Sequence, residues 1–139
     1  MRTPRWYQQE ALKFIDQCRG RTGIFCDLGT GKTLIAIHAS KTPTVVFCRR
    51  DDFETWRREL IADGVAESQI QFIDSNQCRV FNVPWTIVAY GVLVGRKSKK
   101  PTRIGRWISS WPFSTFICDE SHLLKSATSK RSKRVYQCT

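Results

Sequence analysis

The segment from residue 26 to residue 33, which reads CDLGTGKT, carries the residue types that hold a phosphate group. Glycine at positions 29 and 31 lets the backbone turn its N–H groups toward an anion, and a helix beginning at Gly31 adds its positive dipole end. A lysine can then reach the β- and γ-phosphates, and a threonine hydroxyl can coordinate Mg²⁺. We predict that a nucleotide and Mg²⁺ are bound through Gly29, Thr30, Gly31, Lys32 and Thr33. Cys26 stands where the strict pattern has glycine, and the alternative is an ordinary left-handed turn before a helix.

A pair of carboxylates, Asp119 and Glu120, follows directly on the apolar run Phe116–Cys118. Residues after a buried strand lie at its carboxyl end, where a doubly wound sheet opens its ligand crevice. There Asp119 would hold Mg²⁺ through its water shell, and Glu120 would orient and deprotonate the water that attacks the γ-phosphate. Ser121 and His122 would sense the γ-phosphate or contact a further lobe. Taken alone, such a pair is more often a helix cap and a surface acid, but the phosphate-binding segment upstream favours the metal site.

Short apolar runs without alternation provide the strands that would position these residues. They cover residues 22–27, 44–48, 70–73, 86–89 and 115–118. Continuous apolar runs of this length are typical of a parallel sheet that is covered on both faces. We therefore predict an α/β fold with a mostly parallel sheet and helices on both sides.

Helical patterns lie between the runs. Thr3 and Pro4 predict a capped helix start. The helix that follows has an apolar face, and Gln8 and Gln9 lie outside that face. That face comprises Tyr7, Ala11, Phe14, Ile15 and Cys18. A further helical pattern opens at Asp51 and aligns Phe53, Trp56 and Leu60 on one face. The other helical patterns cover residues 31–39, 103–110 and 125–137. We interpret Trp56 as a core anchor rather than a stacking platform.

The composition sets the class of the protein. A chain of 139 residues suffices for one compact domain, and we assign residues 1–139 to a single lobe. Lysine and arginine number 23 against 12 acidic residues, which gives a formal net charge of +11. An excess of this size attracts polyanions, of which nucleic acid is the commonest; the alternative is a merely soluble basic protein.

The cysteines and the hydropathy indicate the compartment. Six cysteines show neither a CxxC pair nor a metal-ligand spacing with the two histidines, which favours free thiols and a reducing, intracellular environment. No stretch reaches the roughly 18 apolar residues of a membrane span, and the first residues lack the core of a signal peptide.

The order of these motifs resembles the first RecA-like lobe of superfamily 2 helicases, and most closely the Snf-type branch of DExH translocases. The resemblance is carried by residues 27–33 and 119–122, by Arg5-Trp6-Tyr7-Gln8, by Val45-Val46-Phe47 with Trp56 and Glu59, by Thr86–Tyr90 with Leu93, and by Lys125. Trp6 replaces the usual proline of that family, and Phe47-Cys48-Arg49 replaces its usual apolar-proline strand end.

The resemblance implies an ATP-dependent motor on nucleic acid, more readily DNA than RNA, with ATP and Mg²⁺ as its cofactors. It implies that Gln8 reads adenine, although an idle, exposed glutamine is the alternative. Lys32, Asp119 and Glu120 would be the catalytic residues. We assign Arg49, Lys97, Lys99 and Lys100 to the nucleic-acid track, against the alternative of a charged loop that serves solubility.

The family hydrolyses ATP between two lobes, and its second RecA-like lobe supplies an arginine finger. We find no match to that lobe, so we expect a cut domain, a truncated product or a stand-alone lobe that binds nucleotide weakly and hydrolyses it slowly. Two other interpretations stay open. One is a different P-loop enzyme, such as a packaging or recombination ATPase; the other is a binding module for nucleic acid or protein with an inactive nucleotide site.

Overall fold

The computed structural model describes residues 1–19, 31–94, 100–120, 133 and 135. The helices in these ranges are α1 (Trp6–Gln17), α2 (Lys32–Ala39), α3 (Phe53–Ala62) and α4 (Arg103–Ser110). The strands are β1 (Thr44–Cys48), β2 (Ile70–Ile73), β3 (Trp85–Ala89) and β4 (Thr115–Cys118). Short 3₁₀ turns cover Arg50–Asp52, Glu67–Gln69 and Tyr90–Leu93.

The strands form a parallel sheet in the order β2-β3-β1-β4. The register sets Val46 of β1 opposite Ile87 of β3 on one side and Ile117 of β4 on the other. All five residues of β1 and of β3 are buried, as their continuous apolar sequences predict. Four of the predicted strands are therefore confirmed, with β3 beginning one residue early at Trp85; the run 22–27 lies outside the described residues.

Helices cover both faces of this sheet. Neighbouring residues of a strand point to opposite faces, so each strand contributes side chains to both cores. On one face, Ile37 of α2 and Trp56 and Leu60 of α3 pack against Val46 and Ile87. On the other face, Ile104 and Ile108 of α4 pack with Phe47, Val88 and Tyr90. Val135, which has helical backbone, joins this second core. The α/β prediction is confirmed by this arrangement.

The ends of α2 and α3 lie close together at the edge of the sheet where the strands begin. His38 Nε2 lies 3.0 Å from Asp63 Oδ1, and the Arg2 backbone N–H donates to the same oxygen at 3.1 Å. Burial favours the neutral carboxyl, but the hydrogen bonds and positive charge of His38 and Arg2 outweigh it and lower the pKa of Asp63. The carboxylate therefore ties the two helix ends to the amino terminus of the chain.

The start of α1 differs from the prediction. The helix begins at Trp6 with Arg5 as its cap, not at Pro4, because the Gln8 side chain reaches back and accepts the Arg5 backbone N–H at 2.8 Å. Gln8 is also the buried residue of α1, with 4% of its surface exposed, whereas Phe14 is 49% exposed. The prediction that Gln8 faces away from the core was therefore wrong, and so was the placing of Phe14 on the packed face.

The remaining helices agree with the sequence in part. The pattern from Asp51 begins as the 3₁₀ turn and becomes α-helical only at Phe53. Helix α4 has the predicted bounds, and the Thr102 hydroxyl caps it by accepting the Gly105 backbone N–H at 3.2 Å. Of the predicted helix 125–137, only Lys133 and Val135 are described, and both have helical backbone.

The described ranges contain neither a helix long and apolar enough to cross a bilayer nor a cluster of three or more potential metal ligands among His, Cys, Asp and Glu side chains. The described cysteines at 18, 48, 78 and 118 are free thiols.

Candidate functional site

The first residues of α2 lie at the carboxyl edge of the sheet. Helix α2 ends at Ala39, and residues 40–43 lead directly into the start of β1, where the Thr115 hydroxyl at the start of β4 donates to Lys41 O at 2.9 Å. An eight-residue helix is about 12 Å long, close to the length of a short strand. Helix α2 therefore runs back along the sheet, and its start at Lys32 lies at the opposite edge, where β1 and β4 end.

Helix α3 runs in the same direction as α2, which gives independent evidence that the start of α2 lies at the carboxyl edge of the sheet. It follows β1 after the short turn Arg50–Asp52, so it starts at the carboxyl edge, and its end at Asp63 meets the end of α2 at His38. The two helices run side by side, and Ile37 and Trp56 share one core. Lys32 and the start of α3 are therefore on the same edge as Asp119, which directly follows β4.

Gly31 caps α2 in a conformation that favours glycine. Its φ is +76°, in the left-handed region, and a Cβ at this position would overlap the side-chain amide of Gln8. The Gln8 Nε2 donates to Gly31 O at 3.4 Å, so α1 touches the start of α2. Gly31, the last residue of the predicted glycine turn, thus has the expected left-handed backbone. The Lys32 side chain is exposed and that of Thr33 is half-buried. Gly29 and Thr30 lie outside the described residues.

Asp119 is held by hydrogen bonds on its backbone and on its side chain. Its N–H donates to Phe47 O at 2.9 Å, and its carbonyl accepts the Tyr90 hydroxyl at 2.7 Å. Its carboxylate accepts the Trp56 indole N–H at Oδ2 over 2.9 Å and the Glu120 backbone N–H at Oδ1 over 3.0 Å. The side chain is half-buried, and each carboxylate oxygen has a further lone pair that can accept a water ligand of a metal ion.

Glu120 has a backbone conformation that is rare for a residue with a Cβ. Its φ is +51°, in the left-handed region. Such a conformation costs roughly 1–2 kcal/mol in a residue other than glycine, and functional sites are one place where strained residues cluster. Glu120 directly follows the fixed Asp119, so both predicted site residues lie at the carboxyl edge of the sheet. Ser121, His122 and Lys125 lie outside the described residues.

A groove opens beyond the ends of β1 and β3. Its volume is about 280 Å³, and its lining residues are Arg49, Arg50, Asp74, Ala89, Tyr90, Gly91 and Val92. Arg50 pairs with Asp74 at 3.0 Å, and Arg49 Nε donates to Asp52 at 3.4 Å. Both arginines are exposed. The groove therefore presents two exposed arginines, each paired with an aspartate, beside the apolar residues Ala89 and Val92, and Tyr90 connects it to Asp119.

The other predicted nucleic-acid residues are only partly described. Lys100 is exposed at the start of the segment that leads into α4, and Lys97 and Lys99 lie outside the described residues. No distance relates these lysines to Arg49, so their assignment to one track stays a prediction.

The thiols beside the site are poor nucleophiles and poor metal ligands. Burial, reinforced by the negative charges of Asp119 and Asp52, raises the pKa of Cys48 to about 12. Burial likewise raises the pKa of Cys118 to about 11. A neutral thiol neither attacks a substrate nor binds a cation well. Carboxylates such as those of Asp119 and Glu120 are the side-chain groups that suit Mg²⁺.

Sequence reasoning identified Trp56 as a core anchor, which its 2% exposure confirms, but it missed the bond from this residue to Asp119. It also missed Tyr90 as a partner of the same residue. A usable indication existed for Trp56, because the indole N–H of a buried tryptophan needs an acceptor. The identity of that acceptor depends on which strand lies beside α3, and a linear pattern does not give it.

A comparison with solved structures identifies the fold. The chain is similar to the "Sulfolobus solfataricus SWI2/SNF2 ATPase core in complex with dsDNA", with a TM-score of 0.73, 20% sequence identity and 98% of this chain covered. This chain spans 30% of the length of that one. The likeness shows an α/β RecA-like domain, as predicted. No family model and no curated protein matches the sequence.

Proposed function

We propose that this chain is the ATP-binding lobe of an ATP-dependent nucleic-acid translocase of the Snf type, with a DExH motif at residues 119–122. It would bind ATP and Mg²⁺ by itself and hydrolyse ATP only together with a second RecA-like lobe. We base this on one arrangement: the first turn of α2, with Lys32, shares an edge of the sheet with the tightly held carboxylate of Asp119.

The described residues fit a nucleotide with its metal. Gly31 has no Cβ and a left-handed backbone, which lets the Gln8 side-chain amide pack directly against the start of α2. The exposed Lys32 ammonium and the N-terminal end of α2 attract phosphate oxygens. Thr33 supplies a hydroxyl for the metal, and Gly29 and Thr30 complete the predicted phosphate loop. Gln8 lies against Gly31 and stays the proposed adenine-reading residue; in that role its amide would exchange its contacts with Arg5 and Gly31 for the base.

Each residue then has a distinct task. Lys32 binds the β- and γ-phosphates, and Asp119 holds the water shell of the metal ion in place. Glu120 accepts the proton of the attacking water. The bound Mg²⁺ supplies neutralisation of the charge that develops on the phosphates. The second lobe would exclude water and add the arginine finger.

The nucleic-acid part of the proposal concerns the groove that Arg49 lines. Exposed arginines bind backbone phosphates without reading sequence, and the net charge of +11 provides the long-range attraction. The similar ATPase core is described in complex with dsDNA, which favours DNA over RNA as the partner here. Lys97, Lys99 and Lys100 would extend the same track.

Titration with Mg·ATP tests the nucleotide site. Lys32→Ala removes charge-assisted hydrogen bonds to the phosphates, so we expect the affinity to fall about tenfold or more. Lys41→Ala is the matched control, since this exposed lysine lies at the opposite edge of the sheet and its loss changes the net charge equally. Isothermal titration calorimetry measures the affinity of both variants and of the native chain for Mg·ATP. Equal affinities of Lys32→Ala and the native chain would refute the proposal, and retained nucleic-acid binding would then indicate a binding module.

A further inference from the structure

The contact between Trp56 and Asp119 joins two segments that lie 63 positions apart in the sequence. Trp56 lies one turn into α3, and its indole N–H is its only polar group. That group donates to Asp119 Oδ2 at 2.9 Å. Because the acceptor belongs to a carboxylate, the bond is charge-assisted and stronger than a bond between neutral groups.

The donor is fixed in place by its surroundings. Trp56 is 2% exposed, and its ring packs in the core that contains Val46, Cys48 and Ile87. A large ring in a close-packed core has little freedom to change its rotamer. The indole N–H is therefore a rigid reference point for the carboxylate.

The acceptor has limited freedom as well, since Oδ1 takes the Glu120 backbone N–H at 3.0 Å while Oδ2 takes the indole. Because one donor binds each oxygen, the two hydrogen bonds fix the side-chain torsion angles of Asp119 and the orientation of its carboxylate plane. The lone pairs that remain then point in fixed directions. Hydrogen bonds of this kind to carboxylates at metal sites commonly change metal affinity by about 10- to 100-fold.

We propose that Trp56 is a positioning residue for the metal-binding carboxylate: its indole N–H orients Asp119 so that the free lone pairs face the magnesium of a bound nucleotide. This inference rests on the function proposed above. Trp56 itself touches neither nucleotide nor metal and acts through Asp119 alone. Its role is thus separate from its contribution to the core.

Trp56→Phe tests this, because phenylalanine keeps an aromatic ring in the core and lacks the N–H. We expect Mg·ATP affinity to fall about tenfold, while affinity for ATP in the presence of EDTA stays within about twofold of the native chain. Trp85→Phe is the matched control. Trp85 lies in the same core at the amino end of β3, so its replacement costs similar packing far from Asp119.

A nuclear magnetic resonance measurement covers the case in which Trp56→Phe fails to fold. In the native chain, Mg·ATP should shift the Trp56 indole proton more than the Trp85 indole proton, and Asp119→Ala should move the Trp56 proton upfield as its acceptor is lost. An unmoved Trp56 proton in both experiments would overturn the inference.

The outcomes separate this inference from the proposed function. If Lys32→Ala weakens Mg·ATP binding but Trp56→Phe matches Trp85→Phe, the positioning role is refuted and the nucleotide site stands. If the native chain shows no Lys32-dependent binding, the proposed function fails and the positioning role fails with it.

Discussion

Glu120 combines the role of the proposed base with a strained backbone. Its φ of +51° lies in the left-handed region, and it directly follows Asp119, which is bonded to both β1 and Tyr90. Its N–H turns back to Asp119 Oδ1. This conformation of Glu120 is therefore maintained at a cost in stability that glycine would avoid.

Replacing Glu120 measures this cost. Glycine adopts the left-handed region without a Cβ clash, so we expect Glu120→Gly to exceed Glu120→Ala in free energy of unfolding by about 1 kcal/mol. The same pair of changes at Arg58, an exposed position within α3, should give the opposite order, since alanine is the better helix former by about 1 kcal/mol. Chemical denaturation of the four variants provides the values. Equal or greater stability of Glu120→Ala would show that the strain is absent.

At the level of elements, the ends of β1 and β3 place the groove lined by Arg49 and Arg50 beside the proposed metal site. The 3₁₀ turn Arg50–Asp52 joins β1 to α3, so the groove and Trp56 are connected through one short segment. A nucleic acid bound at Arg49 would lie close to the start of α3, the helix whose Trp56 donates a hydrogen bond to Asp119.

Arg49→Ala should reduce the dependence of nucleic-acid affinity on salt. Each phosphate contact that is lost lowers the slope of log affinity against log salt concentration by about 1. Arg58→Ala removes the same charge from the solvent side of α3 and should change that slope less. Fluorescence anisotropy with a double-stranded DNA oligomer across a salt series provides the slopes. Identical slopes for the two variants would exclude Arg49 from the contact surface.

The elements themselves were largely predictable from local patterns. Strand β1 follows from a run of apolar, β-branched residues, and the glycine before Lys32 predicts the start of α2. The burial of Gln8 in α1 was not predictable, because it depends on Gly31, which comes from a distant segment. The bond from Trp56 to Asp119 depends likewise on β4 lying beside β1. Contacts between distant segments are decided by packing, and periodicity does not contain that information.

The whole molecule presents its proposed nucleotide site at one edge of a parallel sheet. Both faces of that sheet are covered by helices, so the carboxyl ends of the strands are the open positions for a ligand. In the proposed function, the helix start at Lys32 and the acidic pair Asp119-Glu120 form one half of a catalytic arrangement. A second lobe would have to approach this same edge to complete it.

Binding of Mn²⁺·ATP, with Mn²⁺ standing in for Mg²⁺, tests most directly whether these residues surround one metal ion. Paramagnetic Mn²⁺ broadens nuclear magnetic resonance signals of nearby atoms, and both ions favour oxygen ligands. We predict that the amide signals of Lys32, Thr33, Asp119 and Glu120 broaden first as Mn²⁺ is added, while those of Lys41 and Thr115 at the opposite edge broaden less. Broadening of the Lys32 signals without those of Asp119, or of neither set, would contradict a shared metal-nucleotide site.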